Sequence, residues 1–199
     1  MNGTAPDVAA FILAGGKSTR MGTDKAFVAY EGRTLLARVL DLARSVTPNV
    51  RIVGTQEKFE SFAPVVEDVF YDCGPLGGIH AALETSRTEL NLVLAVDTPF
   101  VSCAFLQYLI SQAANARGAT VVVPRGDGGW QPLCAIYRRE FAAAAEDALQ
   151  AGRYRIDRLF DQVRTRVIEP AELESAGFSP AIFRNLNTPE ELEAEKRRA

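Results

Sequence analysis

The chain contains one histidine, His80, in 199 residues. Catalysis by a Ser-His-Asp or Cys-His set would have to run through that side chain, and its neighbours Ile79 and Ala81 suggest the start of a helix instead. Cysteine is sparse as well. Cys73, Cys103 and Cys134 are odd in number, lie far apart and include no CxxC pair, which argues against both a disulfide framework and a zinc site. No stretch approaches the roughly 18 unbroken apolar residues of a membrane span, and the N-terminus lacks a basic region followed by a long apolar run. The expectation is therefore a cytoplasmic protein with no membrane partner. Positive charge is not in surplus either: 22 Lys and Arg against 25 Asp and Glu leave a net charge of -3, which speaks against a nucleic-acid partner held by a broad basic face. Internal repeats and low-complexity linkers are also missing.

What is present is an ordinary globular composition, 47% hydrophobic and 24% charged, enough for one domain over residues 1–199. Short runs rich in branched residues predict buried strands at Val8 to Leu13, Val50 to Val53, Leu92 to Val96, Thr120 to Val123 and Leu133 to Tyr137, with a shorter one at Pro64 to Val66. Between them the period changes. Leu35, Leu36, Val39, Leu40, Ala43 and Val46 recur at helical spacing within Thr34 to Val46, and helical readings fit Gly78 to Thr85, Ser102 to Asn115, Arg138 to Gln150 and Arg155 to Val163. Thr188-Pro189-Glu190-Glu191 starts a last helix. Alternation of this kind predicts an α/β fold: a three-layer, Rossmann-like sandwich with a mostly parallel sheet and helices on both faces. In such sheets ligands bind outside the carboxyl ends of the strands.

Directly after the first strand comes Leu13-Ala14-Gly15-Gly16-Lys17-Ser18-Thr19-Arg20-Met21-Gly22-Thr23-Asp24-Lys25. Glycines let a backbone pass close to a ligand, and Lys17, Arg20 and Lys25 can answer the charges of a triphosphate. Two better-known phosphate loops fail on spacing. A P-loop ending at Gly16-Lys17-Ser18 needs glycine where Phe11 stands, and a dinucleotide fingerprint starting at Gly15 needs glycine where Lys17 stands. From the residues alone, a solvated glycine turn with scattered cations remains the alternative.

Later segments lie where a crevice is expected. The Leu92–Val96 run delivers Asp97 to a strand end just before Thr98-Pro99-Phe100, placing a carboxylate there as a metal anchor or as the cap of the helix near Ser102. Asp72-Cys73-Gly74-Pro75-Leu76-Gly77-Gly78-Ile79 is a glycine-rich turn into a helix, and Glu67-Asp68 follows the Pro64 to Val66 strand. Phe183-Arg184-Asn185-Leu186-Asn187-Thr188-Pro189 sets two asparagines on one side of an extended segment, either for a ligand or for local hydrogen bonding.

The first loop matches LAGGxSxRMGxDK at every fixed position, and by it the chain resembles the molybdenum cofactor guanylyltransferase family. DTPF, GPLGGI, the Glu67-Asp68 pair, Gln131-Pro132-Leu133-Cys134-Ala135 and FRNLNTPEEL resemble further segments of that family. The resemblance implies transfer of GMP from GTP to a molybdopterin-type acceptor, with magnesium as cofactor and pyrophosphate as the leaving group. It implies backbone contacts to the nucleotide from Leu13, Ala14, Gly15 and Gly16, phosphate contacts from Arg20 and Lys25, base and ribose contacts around Asp68, Gly74, Pro75 and Leu76, and a metal ion on Asp97. Molybdoenzymes or their chaperones would receive the product. One departure is visible: Val53-Gly54-Thr55 stands where the family often carries an asparagine.

Other readings stay open. The same loop suits a cytidylyltransferase or a sugar-phosphate nucleotidyltransferase, and a non-catalytic nucleotide- or cofactor-binding adaptor would keep the loop without the reaction. Arg153, Arg155, Arg158, Arg164 and Arg166 form either a solvated helix face, with Arg153 and Asp157 spaced for an i,i+4 pair, or a site for the acceptor's phosphate. Trp130 is either a stacking platform or an edge-of-core residue.

Overall fold

The computed structural model describes residues 6–15 and 24–184. The chain runs β1 (Val8–Leu13), β2 (Ala29–Tyr30), β3 (Arg33–Thr34), α1 (Leu35–Arg44), β4 (Val50–Val53), α2 (Gln56–Phe59), β5 (Val65–Val66), α3 (Pro75–Thr85) and β6 (Leu90–Ala95). It continues through α4 (Cys103–Asn115), β7 (Val121–Gly126), β8 (Gly129–Trp130), β9 (Cys134–Tyr137), α5 (Phe141–Gln150), β10 (Thr165–Ile168) and α6 (Pro170–Ser175). Among the described residues no helix is long and apolar enough to cross a membrane.

The main sheet has the order β10-β7-β9-β6-β1-β4-β5, with β8 hairpinned onto β7. All pairings along it are parallel except those of β9, which runs against both β6 and β7. The expected three-layer arrangement follows from the side-chain period of two. Val8, Ala10 and Ile12 of β1 join Leu36, Val39 and Leu40 of α1 and Phe105, Leu106 and Leu109 of α4 on one face. Ala9, Phe11 and Leu13 face the other way, onto Leu76, Ile79 and Leu83 of α3 and Phe141 and Ala145 of α5. Each leucine fully buried in these layers contributes about 1.5–3 kcal/mol. β1 and β6 are buried at every position, as a strand covered on both faces requires.

The helix starts carry their own signals. Thr34 accepts from Ala37 N at the start of α1, and Ser102 accepts from Phe105 N at the start of α4. Pro75 occupies the first turn of α3 behind Gly74, whose φ of 65° and ψ of -159° suit glycine alone, so the helix begins three residues before the expected Gly78.

The helix expected over Arg155 to Val163 is absent. Ile156–Leu159 is a 3-10 turn, and the backbone bonds there close over three residues, as from Arg158 N to Arg155 O and from Phe160 N to Asp157 O. Apolar spacing was met instead by dropping Ile156, Leu159 and Phe160 into the α3–α5 layer from an irregular segment. The expected Arg153–Asp157 pair is replaced by Arg155, which donates to both oxygens of Asp157 at 3.2 and 2.7 Å. Thr165–Ile168 form an unexpected parallel edge strand, β10. The helix expected after Thr188 lies outside the described residues.

The loop from Glu67 to Gly74 lies so close on α3 that a Cβ on Gly77 would stand 2.8 Å from the Phe70 carbonyl oxygen. Replacing Gly77 with Ala is expected to lower stability by about 1–3 kcal/mol, the usual cost of overpacking. Gly118→Ala, where nothing lies within 4 Å, is the neutral comparison; denaturant midpoints of the two variants check this.

Candidate active site

The strand order determines where a crevice opens. From β1 the chain passes to β4 and β5 on one side, then crosses to β6 on the other, so the connections part at the carboxyl end of β1. Leu13, Val53, Val66 and Ala95 end their strands on this edge. Its floor is bare backbone. Ala14 N and Gly15 N both donate to Val53 O, at 3.1 and 3.2 Å, and a Cβ on Gly15 would lie 3.7 Å from Gly54 Cα. With both amides committed, carbonyl oxygens are what Leu13, Ala14 and Gly15 have left to offer a ligand.

Asp97 follows β6 and Lys25 opens the 3-10 turn Lys25–Phe27, and the two meet across the end of β1. Lys25 Nζ donates to Asp97 Oδ2 at 2.8 Å, with side-chain exposures of 21% and 18%. The alternative role for Asp97, capping α4, is taken by Ser102. Thr98, the next residue, is buried and donates to Ala95 O at 3.0 Å, which fixes the turn that presents the carboxylate. Asp97 is a hard oxygen donor in a half-enclosed position. Among the described residues no cluster of three or more His, Cys, Asp or Glu could hold a metal ion. Asp97 could serve as one oxygen ligand to a divalent ion, a donor type that suits magnesium.

The second wall is α3 with the loop before it. Glu67 and Asp68 part company: Glu67 accepts from Gln56 N at 3.0 Å and so caps α2, while Asp68 turns into the crevice. Asp68 Oδ1 sits 3.5 Å from where a Gly78 Cβ would be, beside Leu13 and Val53, and is buried with no hydrogen-bond partner. Burial pushes its pKa above the usual carboxylate range. An unpartnered acceptor at the mouth of a site is costly unless a ligand donor completes it. Gly74 and Pro75 line the same wall, but the Leu76 side chain is fully buried in the core, leaving only its backbone for a ligand.

Other candidates separate. Gly16, Arg20, Asn185 and Asn187 lie outside the described residues. His80 is buried in α3, edge-on to Phe70 with centroids 5.1 Å apart, and neither ring nitrogen has a partner. It forms no hydrogen-bonded nucleophile–base pair. Trp130 packs on Phe160 at 4.9 Å beneath the Arg125 guanidinium at 4.1 Å, the edge-of-core placement. The arginine cluster is not one site: Arg164 O accepts from Thr120 N at the amino end of β7, and Arg166 pairs with Glu172, whereas Arg155 stays on Asp157. Sequence reasoning missed Lys58, which pairs with Asp24; no motif marks it.

An ammonium and a carboxylate meet over a glycine floor at the carboxyl edge of a mostly parallel sheet, the place where α/β folds bind nucleotides. Residues 10–167 match the MobA-like NTP transferase domain, and the chain belongs to that family. It is 36% identical to the molybdenum cofactor guanylyltransferase of Desulfosudis oleivorans, covering 94% of this chain and 93% of that one. It is 33% identical to the protein of the same name from Syntrophotalea carbinolica, over 94% and 90% of the two chains. In three dimensions it resembles molybdopterin-guanine dinucleotide biosynthesis protein A from Archaeoglobus fulgidus, with a TM-score of 0.81, 25% identity and coverage of 96% and 97%.

The orphaned oxygen of Asp68 has a pH signature. A carboxyl whose folded pKa is raised binds its proton more tightly when folded, so it costs stability above that pKa and the cost fades as pH falls through it. Asp68→Asn is expected to raise the denaturation midpoint of the ligand-free protein at pH 7, with a smaller gain at pH 4; a gain that grows on acidification would contradict this.

Proposed function

We propose that the chain, acting as one domain over residues 1–199, transfers GMP from GTP to a molybdopterin-type acceptor in the cytoplasm and releases pyrophosphate. The observation that carries the reading is the Lys25–Asp97 ion pair at 2.8 Å, because it brings a cation for phosphates and a carboxylate for a metal ion to one point of the crevice. The names of the relatives at 36% and 33% identity support the choice of GTP and acceptor.

In this mechanism the acceptor's terminal phosphate oxygen attacks the α-phosphorus of GTP. A new P–O bond forms there, the bond to the bridging oxygen of the β-phosphate breaks, and pyrophosphate leaves with the electron pair. No covalent enzyme intermediate is required. Lys25 leaves Asp97 and, together with Arg20, offsets charge on the departing phosphates, while the Leu13–Gly15 backbone lets the nucleotide approach closely. Asp97, released from Lys25, would hold magnesium, which supplies positive charge shared between phosphate oxygens. Asp68 accepts from the N1–H and 2-amino group of guanine, the two donors on that edge, which gives its buried Oδ1 the partner it lacks. Gly74 and Pro75 bound the base and ribose. The product passes to molybdoenzymes or their chaperones.

Pyrophosphate release from GTP, ATP, CTP and UTP in turn, each with acceptor and magnesium, tests the reading. GTP is expected to lead; CTP in first place would point to a cytidylyltransferase, and tight GTP binding without release to an adaptor. Asp97→Ala is expected to abolish metal-dependent release, and Lys25→Ala to lower it by about two to three orders of magnitude, the effect of losing one charge-stabilising donor. Asp68→Asn should erode the preference for GTP, since an amide presents one acceptor where the base offers two donors.

A further inference from the structure

Lys58 belongs to none of the motifs above, yet its ammonium meets three pieces of the crevice wall. It forms an ion pair with Asp24 Oδ2, while Asp24 Oδ1 accepts from Ala26 N at 3.0 Å and caps the Lys25–Phe27 turn. The same ammonium lies 4.9 Å from the Phe59 ring centroid and 5.7 Å from that of Phe27, and those rings stack at 6.0 Å with planes 16° apart. Phe59 is buried, and its ring edge would stand 2.8 Å from a Cβ on Gly54, so α2 is seated directly on the end of β4. Lys58 thereby ties both ends of the turn to the β4 side of the crevice. Lys25, inside that turn, is tied to the β6 side through Asp97. An exposed lysine–carboxylate pair alone is a weak tether. Two aromatic faces under the ammonium, and a carboxylate that is also a helix cap, make this one directional.

We propose that Lys58 is a positioning residue: through Asp24 and Phe27 it holds the Lys25–Phe27 turn, and so sets where the Lys25 ammonium stands between the end of β1 and Asp97. For its effect on rate the proposal rests on the function given above, whereas its geometric content does not. Lys58→Met keeps the length of the side chain and removes the charge. Lys58→Arg keeps a cation that stacks on aromatic rings and pairs with carboxylates. Asp24→Asn keeps the cap and removes the pair.

Two measurements on the full-length protein test the proposal. In pyrophosphate release, Lys58→Met is expected to lower kcat about 10- to 100-fold, the scale of displacing a catalytic group by about an ångström, with little change in KM for GTP. Lys58→Arg should restore most of it, and Asp24→Asn combined with Lys58→Met should be no worse than either alone, as expected for two residues acting as one unit. The second measurement needs no turnover. After reductive methylation with 13C-formaldehyde, the chain's lysines, Lys17, Lys25, Lys58 and Lys196, each give a resonance, and that of Lys25 should shift in Lys58→Met but not in Lys58→Arg. An unmoved Lys25 resonance with wild-type kcat in Lys58→Met overturns the proposal, as does a Lys58→Arg protein as impaired as Lys58→Met. If the wild type releases no pyrophosphate from any triphosphate but the Lys25 resonance still responds to Lys58→Met, the positioning role stands and the proposed function falls.

Discussion

An ammonium and a carboxylate 72 residues apart in sequence stand 2.8 Å apart at the end of the central strand, and most of the site's architecture serves that meeting. Each group is half-buried, and the pairing offsets part of what each loses in contact with water. The pair also sets terms for whatever enters. A ligand that separates it has to give Lys25 anionic oxygen and Asp97 positive charge at the same time, which a metal-bound phosphate chain does and a neutral molecule does not.

Bringing the two together is a matter of strand order. Because β1 lies between β4 and β6, loops leaving β1 and β6 open side by side, and the crossover from β5 carries α3 onto the opposite face from α1. The crevice therefore has two unlike walls. One is the Asp24–Phe27 turn with α2, rich in paired charge and aromatic rings. The other is α3 under the Glu67–Gly74 loop, where glycines admit backbone at distances no side chain would tolerate. All the buried side-chain atoms without partners among the described residues, Asp68 Oδ1 and the two ring nitrogens of His80, lie along this second wall. Of these, Asp68 Oδ1, beside Leu13 and Val53 at the strand ends, is the one a ligand donor can complete, whereas His80 is sealed in the core.

Sequence reasoning located the strands and the long helices closely, since continuous branched runs and a 3.6-residue stripe are both local signals. It failed where the signal was short or shared. Gln56–Phe59 is a single helical turn with no period to detect. Thr165–Ile168 was hidden inside a cluster of arginines read either as a helix face or as a phosphate site, and it pairs in parallel with the start of β7. Arg155 to Val163 had helical spacing, but the spacing served to fill a gap beneath Trp130 and α5 from a 3-10 turn. At the crevice, the local motifs were enough to single out Lys25, Asp68 and Asp97 as candidates, and the structure brings Lys25 and Asp97 into contact. GPLGGI does not say which way a side chain points, and the Leu76 side chain turns into the core, leaving its backbone at the crevice.

The order of residues alone determined the α/β class, the glycine floor after β1 and the presence of a carboxylate at the end of β6, since each depends on neighbours within a few residues. Tertiary structure decided which of those features face one another: that Lys25 reaches Asp97, that Glu67 caps α2 while Asp68 turns inward, and that Lys58 joins α2 to the turn carrying Lys25. The physical reason is that a strand or a cap is set by backbone geometry and local periodicity, whereas an ion pair across a sheet edge is set by strand order, which is chosen by burying both faces of the sheet at once.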